Sequence, residues 1–318
     1  MEVILLLLIL ASFLFAFTIG GNDAGDVIGT LIGSQGIRFT GAAVVVVLLA
    51  FAGAVLQSHY TSQTIGSRIF EGGFSSHAKA AFAAVLTAAV FMFVITLLSL
   101  PVSSSQAIVG AAVGAGLALG APVSWGVVGT IAFAWVVTPF ISGFLAYVVY
   151  RAVLTPAINS LSFTAQSVAF RYLTLAGAMA IAYNLGANSM GNAVGPLVSA
   201  VGGYEVLAVA AAAFALGVGV FLIGGGVADT VGKRITPLSP ASAFSAQVSA
   251  AAVVYGCIIS GIPVSTTQTL VGGIIGVGLT KGIRTVNARM LLAIAAGWIA
   301  TPLATAAIAY VFTRAISG

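Results

Sequence analysis

Cysteine, histidine and charge are all scarce in this chain, and each scarcity removes a class of function. The single cysteine, Cys257, cannot close an intrachain disulfide, and no Cys/His set has metal-ligand spacing, so redox and zinc chemistry drop out. Charged residues make up 5% of the 318, where an ordinary soluble protein carries about 25%. A soluble globule is thereby excluded. The 11 Lys and Arg outnumber the 6 Asp and Glu and leave a net charge of +5, yet no basic run gathers them into a surface for nucleic acid. The N-terminus also lacks the basic region and small-residue cleavage site of a signal peptide. Met1-Glu2 leads straight into the apolar stretch Val3 to Ile19, which reads as a retained first helix. The absence of Lys or Arg before it favours an outside N-terminus.

What abounds is apolar surface. Hydrophobic residues form 60% of the chain and mean hydropathy is +1.17, spread over the whole length as in a polytopic membrane protein. Stretches long enough to cross a hydrocarbon core lie near residues 3–19, 40–57, 80–100, 125–150, 172–185, 205–227, 241–262 and 287–312. They are apolar on all sides, whereas barrel strands alternate apolar and polar residues. The fold class is all-α. Glycine, 39 residues in all, clusters with polar residues inside these apolar surroundings, which predicts close helix packing and broken helices.

The chain is duplicated. Gly20-Gly21-Asn22-Asp23-Ala24-Gly25-Asp26 recurs 166 residues later as Gly186-Ala187-Asn188-Ser189-Met190-Gly191-Asn192, and Gln63-Thr64-Ile65-Gly66-Ser67-Arg68-Ile69 recurs at the same offset as Asp229-Thr230-Val231-Gly232-Lys233-Arg234-Ile235. Pro101-Val102-Ser103-Ser104-Ser105-Gln106 returns 162 residues on as Pro263-Val264-Ser265-Thr266-Thr267-Gln268, and Trp135 to Pro139 returns as Trp298 to Pro302. Four ordered matches at nearly constant offset predict two homologous transmembrane repeats, 1–150 and 172–318, joined by a polar linker at 151–171. Paired hydrophobic halves interrupted at corresponding places are the sequence mark of a secondary transporter with a midplane site. Arg68, Lys79, Lys233 and Arg234 occupy equivalent loops, and Lys281, Arg284 and Arg289 add a third cluster. Charge bias alone therefore does not orient the chain.

The repeated motifs carry complementary chemistry. Asp23 and Asp26 lie in apolar surroundings, where a carboxylate costs on the order of 2.5–3.5 kcal/mol unless compensated. With Asn22 they supply hard oxygens, and the neighbouring glycines are expected to let the backbone open its own carbonyls. This set suits Na⁺ or a proton. A water-exposed turn would explain one copy but not the recurrence at Asn188, Ser189 and Asn192, so these six residues form the candidate cation site. Ser103, Ser104, Ser105 and Gln106, with Ser265, Thr266, Thr267 and Gln268, offer hydroxyls, amides and, where a helix starts, free N–H groups. That is an oxyanion cradle. Helix capping alone accounts for one such copy; two copies, each followed by a glycine ladder, point to anion binding. No nucleophile stands with a base, and no metal set or paired acids flank a substrate path, so the sequence argues against an enzyme and implies no cofactor. His59 and His77 read as solvated loop residues, and Arg68 and Arg234 as anchors of helix ends, with binding of lipid headgroups or attraction of the anion at the mouth as the other readings. Trp135 and Trp298 read as packing or kink residues. Small-residue surfaces are too widespread to mark an interface, so a homodimer is allowed for without a chosen face.

Gly-Asn-Asp and Gly-Ala-Asn near the start of each half, Pro-Val-Ser-Thr-Thr before a glycine-rich segment, and Gly232-Lys233-Arg234-Ile235-Thr236-Pro237-Leu238 between them resemble the inorganic phosphate transporter (PiT) family in its compact prokaryotic form. The resemblance runs through both halves. It implies a multi-pass protein of the cell membrane with two inverted repeats, broken helices and re-entrant hairpins meeting at a central site, and symport of inorganic phosphate driven by Na⁺ or H⁺. Against the family pattern, Asp26 replaces Asn, Ser189 replaces Asp, Gln106 and Gln268 replace His, and Gln247 replaces Glu. Losing an acidic residue and gaining amides tilts toward sulfate, which carries no proton to donate, while two retained Asp acceptors favour phosphate. A sulfate or related oxyanion permease of the same family is thus the alternative, and an inactive membrane scaffold subunit the reading outside it.

Overall fold

The computed structural model describes residues 2–35, 37–202, 205–282 and 285–317. Among them the chain is helical apart from turns and one isolated bridge between Phe70 and Val123. Helices α1 (Glu2–Gln35) and α2 (Phe39–Gln57) are followed by the short α3 (His59–Gln63), which runs into a π-helical turn at Thr64–Arg68. A hairpin comes next, formed by α4 (Ala78–Leu97) and α5 (Ser104–Leu119) with its tip at 98–103. Then α6 (Trp125–Val148) passes through a π-helical turn into α7 (Thr155–Ser160). The second half repeats this order: α8 (Phe163–Val201), α9 (Glu205–Ile223), α10 (Gly225–Asp229) with its own π-helical turn at Thr230–Arg234, a hairpin of α11 (Pro240–Ile259) and α12 (Thr266–Thr280) with its tip at 260–265, and α13 (Ala288–Ser317).

Among the described residues eight helical segments are long and apolar enough to cross a membrane, one for each apolar stretch of the sequence, and the protein is a multi-pass membrane protein. Helices satisfy their own backbone groups, the condition for crossing lipid. The stretches near 3–19 and 172–185 fall short of α1 and α8 because each helix carries a polar motif that lowers local hydropathy while lying entirely inside the protein. The polar segment 151–171, expected as a linker, is mostly helical, and α8 already begins at Phe163. Arg284 lies outside the described residues.

Both hairpin tips are built alike. The Ser103 hydroxyl accepts from the Gln106 N–H at 3.2 Å and the Ser265 hydroxyl from the Gln268 N–H at 3.0 Å, which starts α5 and α12. Pro101 and Pro263 do not end the preceding helices, since α4 stops at Leu97 and α11 at Ile259. The reversal instead uses left-handed residues at equivalent positions, Ser99 (φ 59°) and Gly261 (φ 67°).

Helix contacts fix the relation of the two halves. A Cβ on Gly20 would strike the Leu216 carbonyl, and one on Gly25 would lie 3.1 Å from the Gly224 carbonyl. The contacts climb both segments together, so α1 and α9 run parallel. In the same way Gly186 meets Ala50 and Gly195 meets Ser62, so α8 runs parallel to α2 and its continuation. The three residues between α1 and α2 cannot return a chain across a bilayer, so α2 runs opposite to α1, and so does α8. The repeats are therefore inverted. They also interlock, because α5 packs on α13 through Gly110 and Pro302, and α12 packs on α6 through Gly272 and Pro139.

Candidate functional site

Every candidate residue of both motifs is buried. Asn22, Asp23 and Asp26 come from α1, Asn188, Ser189 and Asn192 from α8, and the two hairpin tips reach them from opposite sides. The expected opening of the backbone at the glycine motifs does not occur: α1 and α8 run through them without a break. Their glycines serve close helix approach instead, as Gly20 and Gly186 show. Breaks fall at the hairpin tips and around Ser58 and Gly224, where α2 and α9 end.

The two asparagines hold the tips. Asn22 donates to the Leu100 carbonyl and the Thr96 hydroxyl, both at 3.0 Å, and accepts from the Val102 N–H at 3.0 Å. Asn188 donates to the Val264 carbonyl at 2.7 Å and accepts from its N–H at 3.3 Å. Each side chain thus replaces the backbone partners that an unwound segment loses in lipid.

The carboxylates meet hydroxyls. Asp23 Oδ2 accepts from Ser104 Oγ at 2.5 Å and from Ser189 Oγ at 3.0 Å, and Asp26 accepts from the Thr267 hydroxyl. Across the centre, Asn192 donates to Ser105 Oγ at 2.9 Å, and Ser105 donates to the Val264 carbonyl at 2.6 Å, so the two tips touch. Four oxygens of this group, Asp23 Oδ1, Asp26 Oδ1, Asn192 Oδ1 and Thr266 Oγ1, have no hydrogen-bond partner among the described residues. A buried set of hard oxygens beside the first turns of two opposed helices can hold a cation and an oxyanion together.

Comparison with known proteins identifies the family. Residues 19–167 and 157–309 each match the phosphate transporter family. The chain belongs to that family. Among its relatives, a protein of Methanocaldococcus jannaschii named as a phosphate permease is 30% identical over 99% of both chains. The chloroplast inorganic phosphate transporter 2-1 of Arabidopsis thaliana is 25% identical over 97% of this chain and 72% of its own. A solved structure described as the sodium-dependent phosphate transporter superposes with a TM-score of 0.90 over 99% of both chains at 24% identity, a likeness of fold. A transporter family is not an enzyme class.

Within this transporter the sequence candidates separate into three groups. Ser104, Ser105, Thr266 and Thr267 lie at the centre, Ser103 and Ser265 cap helices, and Gln106 and Gln268 line a lateral cavity of about 880 Å³ between α6 and α13. Trp135 and Trp298 line that same cavity, and their indole N–H groups have no partner among the described residues. Sequence reasoning missed Thr96, which supports Asn22, and Thr30, which accepts from Gln247 Nε2 at 2.7 Å. It also missed Thr64, which donates to the Gly261 carbonyl at 2.7 Å, and Thr230, which donates to the Ser99 carbonyl at 2.9 Å. The signal for that pair was present, since Thr64 and Thr230 recur at the 166-residue offset. Outside the spans, Lys233 at 2.6 Å and Arg234 at 3.3 Å hold Asp229 below the usual carboxylate range. His59 is exposed and His77 Nδ1 lies 3.1 Å from the Gly73 carbonyl.

Proposed function

We propose that this chain carries inorganic phosphate across the membrane by cation-coupled symport. The observation that supports this most is the junction of two inverted hairpin tips, where buried carboxylate, amide and hydroxyl oxygens without partners adjoin the free N–H groups at the starts of α5 and α12. Ser104, Ser105, Thr266 and Thr267 with those N–H groups are the anion ligands in this reading. Asp23, Asp26, Ser189 and Asn192 are the cation ligands, while Asn22 and Asn188 position the tips. Na⁺ is favoured over a proton as the coupling ion, because three oxygens of the cation set, Asp23 Oδ1, Asp26 Oδ1 and Asn192 Oδ1, lack partners and one proton satisfies one of them. Phosphate is favoured over sulfate, because a protonated oxyanion donates to the free Asp oxygens and sulfate has nothing to donate. In transport, one inverted repeat moves against the other around the fixed centre.

The test is uptake of radiolabelled phosphate and sulfate into proteoliposomes, with an inward Na⁺ gradient or a pH gradient alone. Na⁺-dependent, saturable phosphate uptake is expected, and it is lost in Asp23→Asn. Sulfate uptake driven by the pH gradient would overturn both the substrate and the coupling ion, and uptake of neither would leave a scaffold.

A further inference from the structure

The two carboxylates stand three residues apart on one helix, yet they hold different hairpins. Asp23 accepts from Ser104, in the first turn of α5, and Asp26 accepts from Thr267, in the first turn of α12. The pseudo-symmetric positions are neutral. Ser189, the counterpart of Asp23, turns to Asp23 itself and leaves Thr266 Oγ1 without a partner among the described residues. Asn192, the counterpart of Asp26, bonds Ser105. Each hairpin therefore has one carboxylate latch.

Each tip also has an outer bolt to the other repeat. The tip at 98–103 is fastened by Thr230 through the Ser99 carbonyl, in the π-helical turn that carries Lys233 and Arg234. The tip at 260–265 is fastened by Thr64 through the Gly261 carbonyl, in the equivalent turn that carries Arg68. Because the repeats are inverted, those two turns lie toward opposite faces of the membrane. Releasing one tip opens the centre toward one face, and releasing the other opens it toward the other face.

We infer that Asp23 and Asp26 control opposite gates, Asp23 the tip at 98–103 and Asp26 the tip at 260–265, so that α1 alone carries the switch for both sides. The inference rests on the reading of the centre as a transport site. Ser104 and Thr267 are the positioning residues through which each carboxylate acts. An ion bound at the free Oδ1 of one carboxylate draws on the charge that holds the hydroxyl at its Oδ2 and so acts on one gate.

The experiment uses the full chain with Cys257→Ser and one reporter cysteine at a time, Leu100→Cys or Ile262→Cys, two half-buried tip residues at equivalent positions. A membrane-impermeant maleimide is applied to each face of proteoliposomes in turn. Ser104→Ala is expected to speed labelling of Leu100→Cys about tenfold, the population shift that follows loss of one charge-assisted hydrogen bond, from the Lys233 face only and without effect on Ile262→Cys. Thr267→Val is expected to do the reverse from the Arg68 face. Asp23→Asn and Asp26→Asn follow the same division with smaller changes, and they decide the matter where a hydroxyl variant does not fold. Labelling that rises at both tips, at the wrong tip or at neither would overturn the inference. A parent protein that takes up no phosphate yet labels in this two-sided way would lose the symport reading and keep its gates. One that transports without the pattern would lose the gates alone.

Discussion

At the scale of single residues, the polar side chains of the centre divide into those left with free oxygens and those that hold the backbone. Asn22 belongs to the second kind. It supplies an acceptor for the Val102 N–H and a donor for the Leu100 carbonyl, both in a segment that no helix satisfies. Asn22→Ala leaves those buried groups unpartnered, and a loss of about 1–3 kcal/mol is expected. Thermal unfolding in detergent would show it, with Ser103→Ala, the loss of a single cap, expected to cost about 1 kcal/mol. Equal melting of the Asn22 variant and the parent would mean that the tip finds other partners. Ser99 illustrates a residual strain: it takes the left-handed conformation that its counterpart Gly261 takes freely.

At the scale of elements, glycine decides how closely helices from different repeats approach. A Cβ at Gly186 would fall on the Ala50 carbonyl, whereas one at Gly126 on α6 meets nothing within 4 Å. Gly186→Ala is therefore expected to separate α2 from α8 and to destroy the folded, monodisperse protein. Gly126→Ala is expected to be tolerated, with a gain of about 0.5–1 kcal/mol from helix propensity. Size-exclusion chromatography of the two variants distinguishes these outcomes, and a well-folded Gly186→Ala protein would contradict the packing described. The glycine ladders on α5 and α12 work in the same way against α13 and α6. The sequence pattern correctly suggested close packing, and it did not reveal that the approaches at Gly20, Gly53, Gly110, Gly186 and Gly272 are to helices of the other repeat.

At the scale of the whole molecule, the interlocking matters more than the duplication. Since α1 packs on α9, α8 on α2, α5 on α13 and α12 on α6, each repeat leaves small-residue faces, such as those at Gly20, Gly110, Gly186 and Gly272, that only the other covers. Expressed separately, segments 1–161 and 162–318 are expected to be degraded or aggregated. Expressed together, they are expected to assemble into one complex that binds as the parent does. A stable half on its own, judged by chromatography and protease resistance, would show that the repeats are independent units. Interlocking also places the site between repeats, which suits alternating access, because movement of one repeat against the other acts directly on the central contacts.

The sequence by itself determined the class of the molecule. Scarce charge and pervasive hydropathy placed it in the membrane, and the recurrence of Gly20–Asp26 at Gly186–Asn192 and of Pro101–Gln106 at Pro263–Gln268 marked both the duplication and the residues of the centre. Those features are legible because composition and repetition are properties of the chain read in order. Only the tertiary structure decided which of the residues meet. It turned Gln106 and Gln268 into a lateral cavity, made clamps of Asn22 and Asn188, and gave Asp23 and Asp26 to different hairpins. The physical reason is that a hydrogen bond joins groups by distance and angle, and a partner 81 residues away at Asp23 and Ser104, or 241 away at Asp26 and Thr267, leaves no local trace in the pattern of either segment.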